Sequence, residues 1–187
     1  MLRVPVALVI VAFAVAPALA ADDVLAAIDQ ARKAYQAGDL GGAKQSLDLA
    51  SKLIGQKNAE AFAALLPPPL AGWKADKAET AAVGTVGFGA STASRTYTSP
   101  RGDTVEVQIS GDSAMVVQFA TLMSNPQIAG AMGKIVPVGK ERAIQNGDGD
   151  INLVVANKYL IVVTGSSDAR AKMAYAQAVD IAKLSKM

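Results

Sequence analysis

From residue 23 to about 54 apolar positions recur at helical spacing. Leu25, Ile28 and Tyr35 mark one face, and Ala43, Leu47, Ala50 and Ile54 mark another. That rhythm predicts two amphipathic helices. Gly38-Asp39-Leu40-Gly41-Gly42 breaks it, and so short a break predicts an antiparallel pair. A third short helix is predicted over 58–66, with Phe62, Leu65 and Leu66 on one side. Pro67-Pro68-Pro69 stops it. Proline triplets favour extended, semi-rigid spacers, which sets a hinge at 67–72 between a helical unit (21–66) and a main domain (73–187).

Past Trp73 the period changes. Residues 82–99 are rich in Thr and Val with glycine at 84, 87 and 89, and read as one long bent or bulged strand. Ser99-Pro100-Arg101-Gly102 is a turn, and 104–109 is the returning strand with Val105, Val107 and Ile109 toward the core. Asp112 is placed to cap a helix carrying Met115, Val116, Phe119, Leu122 and Met123, ended by Asn125-Pro126. Short strands follow at 134–138, 141–145, 150–156 and 159–164, with tight antiparallel connections. The last is apolar from Tyr159 to Val163, which predicts a central strand. A closing helix over 168–184 places Ala171, Ala174, Ala178, Ile181 and Leu184 on one stripe. The expected fold class is α+β: an N-terminal helical hairpin, then a mainly antiparallel sheet of about six strands with two packing helices.

The first residues change the picture of where this fold resides. Arg3 precedes an apolar run over 4–15, and Pro17-Ala18-Leu19-Ala20 has the small-x-small form of a signal-peptidase site. Asp22-Asp23 end the run short of the roughly 20 residues a bilayer span needs. Residues 1–20 are therefore expected to be a signal peptide cleaved near Ala20. With no cysteine for lipid attachment, the expected product is periplasmic or secreted and soluble, without a stable membrane anchor.

Composition matters here mainly for what it excludes. The chain has 187 residues and neither histidine nor cysteine. That removes Ser-His-Asp and Cys-His nucleophile systems, zinc and copper sites of the usual ligands, thiol redox chemistry and disulfides. Lys and Arg number 18 against 16 Asp and Glu, scattered without a basic stripe, so nucleic acid is not an expected partner.

Two stretches resemble known families. Gly38-Asp39-Leu40, with Ala43, Leu47 and Ala50 as small, large and small positions and Ala31 before them, resembles the turn and second helix of a tetratricopeptide repeat. No second copy follows, so the resemblance implies one hairpin, packed on the domain or on a second subunit, or offering a partner-binding groove. Leu66-Pro67-Pro68-Pro69-Leu70-Ala71-Gly72-Trp73, with the closing Val163-Thr164-Gly165 and Val179-Asp180-Ile181-Ala182, resembles the Mog1/PsbP-like fold over about 73–187. That resemblance implies an accessory or binding subunit of a larger assembly rather than an enzyme.

The candidate chemistry is thin. Asn146, Asp148 and Asp150 alternate like calcium-loop ligands, but Ile151 and Asn157 stand where that loop needs glycine and a bidentate glutamate, leaving a hairpin turn as the stronger reading. Gly84-Thr85-Val86-Gly87-Phe88-Gly89 lacks the spacing and lysine of a phosphate loop. Arg101-Gly102-Asp103 resembles the integrin-recognition tripeptide, yet Gly102 and its charged neighbours are ordinary turn chemistry. No carboxylate pair or Ser-Lys signature stands out, so no catalytic, cofactor-binding or metal residue is nominated and no cofactor is expected. The expectation is a non-enzymatic exported protein acting as an interaction or accessory module for another envelope or secreted protein, with a homodimer open. The alternative is a carrier of a small apolar ligand or lipid, held between the sheet and the helix of Met115, Phe119 and Met123.

Overall fold

A computed structural model of the chain describes residues 22–82, 90–111, 113–123 and 125–187. Helix α1 (Asp23–Gln36) begins at Asp22, whose carboxylate accepts from the Val24 amide at 3.0 Å. Gly38, at a φ of +77°, makes the turn that L side chains resist. Asp39 caps α2 (Leu40–Ala63) by accepting from the Gly42 amide at 2.9 Å. Gly42 has a local reason to be glycine: a Cβ there would collide with the capping carboxylate.

The separate helix expected at 58–66 is the second half of α2. The segment Gln56-Lys57-Asn58-Ala59-Glu60-Ala61 keeps good helix formers in sequence, and Gly55 is carried because it lies against the sheet. A Cβ at Gly55 would stand 3.2 Å from the Ala82 Cβ.

Among the described residues the sheet has eight strands rather than about six: β1 (Lys74–Ala75), β2 (Glu79–Ala82), β3 (Ser91–Thr98), β4 (Thr104–Gly111), β5 (Lys134–Val138), β6 (Glu141–Gln145), β7 (Ile151–Val155) and β8 (Tyr159–Thr164). All pairings are antiparallel. The order runs β3-β4-β8-β7-β6-β5, and β1 and β2 share the outer edge of β3. Residues 82–99 are therefore not one bent strand: Glu79 pairs with Ser94 and Ala82 with Ser91, so β2 and β3 lie side by side. The glycines at 84, 87 and 89 fall outside the described residues. Strand β8 is central, as its apolar run predicts, and Val136, Ala143, Leu153, Ile161, Ile109 and Ala93 form one row across the sheet.

One face of the sheet is closed by three elements. The last turn of α2 and the turn just after it bring Phe62, Leu65 and Leu66 into the same core as Val107, Ile161, Tyr175 and Leu184. Tyr175 belongs to α5 (Ala169–Ala178) and Leu184 to α6 (Ile181–Leu184). The closing helix is thus two helices, because Asp168 caps the first, Val179 is extended and Asp180 caps the second. Of the expected stripe, Leu184 is buried and Ala171 and Ile181 pack partly buried against the core, whereas Ala178 is exposed; the buried positions of α5 are Lys172, Tyr175 and Ala176. Among the described residues the opposite face is covered toward β5–β7. There α3 (Ala114–Met123) and α4 (Pro126–Met132) bury Val116, Ala120 and Ala129 near Ile144. Helix α4 was not expected: Asn125-Pro126 stops α3 and also caps the next helix, with Pro126 in its first turn.

Residues 67–72 are fastened to strand β3 and to helix α5. The Pro67 carbonyl accepts from Tyr97 Oη at 2.6 Å and from Arg95 Nη1 at 3.3 Å. The Leu70 amide donates to Tyr175 Oη at 3.2 Å. Trp73 meets Tyr175 edge-on, with centroids 5.2 Å apart, and Tyr97 packs beside Tyr175 at 4.3 Å. Burial pushes the Tyr97 hydroxyl up to about 12 and raises that of Tyr175 as well.

A phenol whose folded value lies above its unfolded value of 10.0 contributes stability that is complete below pH 10.0 and is lost as pH rises toward about 12. Urea denaturation across alkaline pH should therefore show stability falling over that window. Tyr97→Phe should flatten the fall and, near neutrality, cost about 1 kcal/mol for the lost hydrogen bond. An unchanged alkaline slope in the variant would contradict this assignment.

Candidate functional site

The two helices of the hairpin meet through their small residues. Ala27 and Ala31 of α1 and Ala43, Ser46 and Ala50 of α2 are buried. Ser46 loses nothing there, because its hydroxyl donates to the Gly42 carbonyl at 2.9 Å. The larger apolar residues point elsewhere: Leu25, Ile28, Tyr35, Leu40, Leu47 and Ile54 are between 42% and 68% exposed.

Helix geometry gathers these six residues on one face. Successive residues advance about 100° around a helix. With Ala27 turned to α2, Tyr35, Ile28 and Leu25 fall roughly 80–160° to one side of α1. With Ala43 turned to α1, Ile54, Leu47 and Leu40 fall roughly 20–60° to the same rotational side of α2. In an antiparallel pair, matching rotational sides lie on the same side of the pair. Monomers rarely display so many large apolar residues together, and such patches mark interaction surfaces.

The pocket expected beneath the methionine-bearing helix exists in a reduced form. Met123, Ala120 and Ala129 face Ile144 and Val154 around a space of about 160 Å³. Glu141, Arg142 and Asn157 also reach it. Phe119 is not part of its lining, and the Met115 side chain lies outside the described residues. Ligand sites for molecules of a few hundred daltons run to roughly 300–1,000 Å³, so a lipid chain does not fit this space as it stands.

Of Asn146, Asp148 and Asp150, the last two meet an ammonium, and Asn146 braces Asp150. Lys172 Nζ of α5 lies 2.6 Å from Asp150 Oδ1 and 2.9 Å from the Asp148 carbonyl. Asn146 Nδ2 donates to Asp150 Oδ2 at 3.2 Å, and Asn146 Oδ1 accepts from the amides of Asp148 and Asp150. Both Asp150 oxygens are thus engaged within the protein. Among the described residues no cluster of three or more acidic side chains is arranged to hold a metal.

Arg101-Gly102-Asp103 sits in the β3–β4 turn with Gly102 at a φ of +92°. Ser99 Oγ accepts from the Arg101 and Asp103 amides and also contacts the Asp103 carboxylate at 3.3 Å, drawing the aspartate back into the turn. Gly84 to Gly89 lie outside the described residues.

Comparisons with known protein families, with curated proteins and with solved structures find no match for this chain. The hairpin face therefore stands on its geometry alone. Sequence periodicity located Leu25, Ile28, Tyr35, Leu47 and Ile54 but not their outward orientation. The available signal was the alanine at 27, 31, 43 and 50, which lets backbones approach and displaces larger side chains to the flank. Lys172 gave no signal, since a lysine in an alanine-rich helix reads as solvated.

The Lys172–Asp150 pair is asymmetric: the lysine side chain is 2% exposed and the aspartate 22%. Asp150→Ala strands a buried ammonium and should cost about 3–5 kcal/mol, whereas Lys172→Met leaves a carboxylate that can reach water and should cost less. Urea midpoints of the two variants check the order, and equal losses would contradict it.

Proposed function

We propose that this protein is an exported, non-enzymatic interaction module whose helical hairpin is its docking surface. The observation that carries the reading is the face formed by Leu25, Ile28 and Tyr35 of α1 with Leu40, Leu47 and Ile54 of α2. Its partner is an exported polypeptide presenting an apolar helical face of its own, since burying such side chains drives association at roughly 25 cal/mol per Å² of apolar surface removed from water. The sheet domain acts as the mount. Alpha-helix α2 runs from the exposed face directly into the core at Phe62, so the face is presented on a rigid element.

Export rests on the leader-like residues 1–20. Among the described residues no helix is long and apolar enough to cross a membrane. The resemblances to a tetratricopeptide hairpin and to the Mog1/PsbP-like fold lean the same way, toward binding rather than catalysis. The carrier reading has less support, because the space beneath α3 is small and bordered by Glu141 and Arg142.

Two measurements test the proposal. Mass analysis of the protein recovered from its native envelope should show a chain beginning at Ala21, and a chain retaining Met1 would contradict export by cleavage. Paired substitution Ile28→Glu with Ile54→Lys should abolish association while leaving far-UV circular dichroism unchanged. Full association of that variant would remove the hairpin face from the account.

A further inference from the structure

The docking face has an internal symmetry that points to its occupant. Leu40, Leu47 and Ile54 are spaced by seven residues, the heptad interval that keeps a stripe facing a neighbouring helix. An interface between identical chains related by a two-fold axis must be complementary to itself. Two antiparallel copies of α2 crossing at Leu47 meet that demand, with Leu40 of each opposite Ile54 of the other and Leu47 opposite Leu47. On α1, residues 25, 28, 32 and 35 alternate steps of three and four, the spacing of an apolar seam, with Arg32 its only polar member.

Space permits the same arrangement, and charge opposes it only at its edge. About that axis Lys44 faces the uncharged Ser51 of the second copy, and the one like-charged meeting close to the axis, Asp48 with its own copy, stands about 100° round the helix from Leu47 on the exposed flank of the seam. Gly55 is where α2 lies against Ala82 and Ser91 of the sheet. Leu47 and Leu40 lie about 12 Å and 22 Å along the helix before that point, at the usual rise per residue. The inward alanines already join α1 to α2 within one hairpin. The larger residues are left to join one hairpin to another, the division of labour within a four-helix bundle.

The area is close to sufficient. If each of the six residues offers about 150–200 Å² when fully exposed, the face presents roughly 500–700 Å². A standard interface takes about 800 Å² per partner, and the polar residues that lie among and beside the apolar ones, Arg32, Lys44 and Ser51, supply the difference.

We infer that a second copy of this chain covers the hairpin face, the two hairpins forming an antiparallel four-helix bundle about a two-fold axis at Leu47. This rests on reading the face as a docking surface and names what docks there. Sedimentation of the purified protein at tens of micromolar should give twice the mass of one chain. Leu47→Glu, at a position already exposed in the single chain, should give the mass of one chain with an unchanged circular dichroism spectrum.

Because the chain has no cysteine, single-cysteine variants read the axis directly. Leu47→Cys should cross-link copy to copy under mild oxidation, whereas Leu49→Cys, on the other flank of α2, should not. A single-copy mass for the unsubstituted protein, a dimer that survives Leu47→Glu, or equal cross-linking by both cysteines would overturn the inference. If the unsubstituted protein is single-copy and Leu47→Glu abolishes its cross-linking to a different exported protein, pairing of copies fails while the docking surface stands. If it is single-copy and the substitution alters no association, both fail.

Discussion

The Pro67 carbonyl is the point on which the two parts of this molecule depend. It accepts from Tyr97 on β3 while Arg95 on the same strand reaches it from the side. A buried carbonyl needs such partners, and a tyrosine hydroxyl taken from water needs an acceptor. The chain leaving α2 is thereby bound to the strand it passes over. Two residues before Pro67, Leu65 is already in the core, and six residues after it Trp73 closes on Tyr175. The helical hairpin and the sheet consequently share one hydrophobic core, with α2 belonging to both.

That sharing explains features that look incidental in the sequence. Gly111 ends β4 where a Cβ would press 2.7 Å from Tyr159 and 2.8 Å from Phe62. Those two rings meet edge-on at 5.6 Å above it. The glycine is the space that lets the α2 aromatic reach the central strand. Lys172 plays a comparable part at the far side of the same face: its ammonium ties α5 to the β6–β7 turn, where Gly149 lies close to Ala169. Aromatic packing joins the elements at the first place and a hydrogen-bonded ion pair joins them at the second. Arg95 reaches the Pro67 carbonyl through Nη1, while its buried Nε has no hydrogen-bond partner among the described residues.

Legibility in the sequence followed the range of the interactions. Strands β4 to β8 are readable because their alternation and turns are local, and Val105, Val107 and Ile109 are buried as their period predicts. The helix pair is readable for the same reason. The single α2 and the split α5–α6 were not, because Gly55 is tolerated through a distant strand and Val179 breaks a helical pattern that the alanines on either side continue in the sequence. The hairpin face was half legible. Five of its residues stood out by spacing while Leu40 read as part of the turn, but an apolar stripe carries no label for inside or outside, and alanine-to-alanine helix packing turned it outward. Lys172 and Tyr97 were invisible, since each depends on a partner far along the chain.

The exposed apolar face of the hairpin is rigid because its helix α2 is part of the core. Native-state hydrogen exchange measures that directly. Amides of α2 from Ala59 to Ala63 should open with the same free energy as those of β8 from Tyr159 to Val163, as one cooperative unit. Release of the whole of α2 at markedly lower free energy than β8 would show a hairpin hinged on the sheet and would contradict the account.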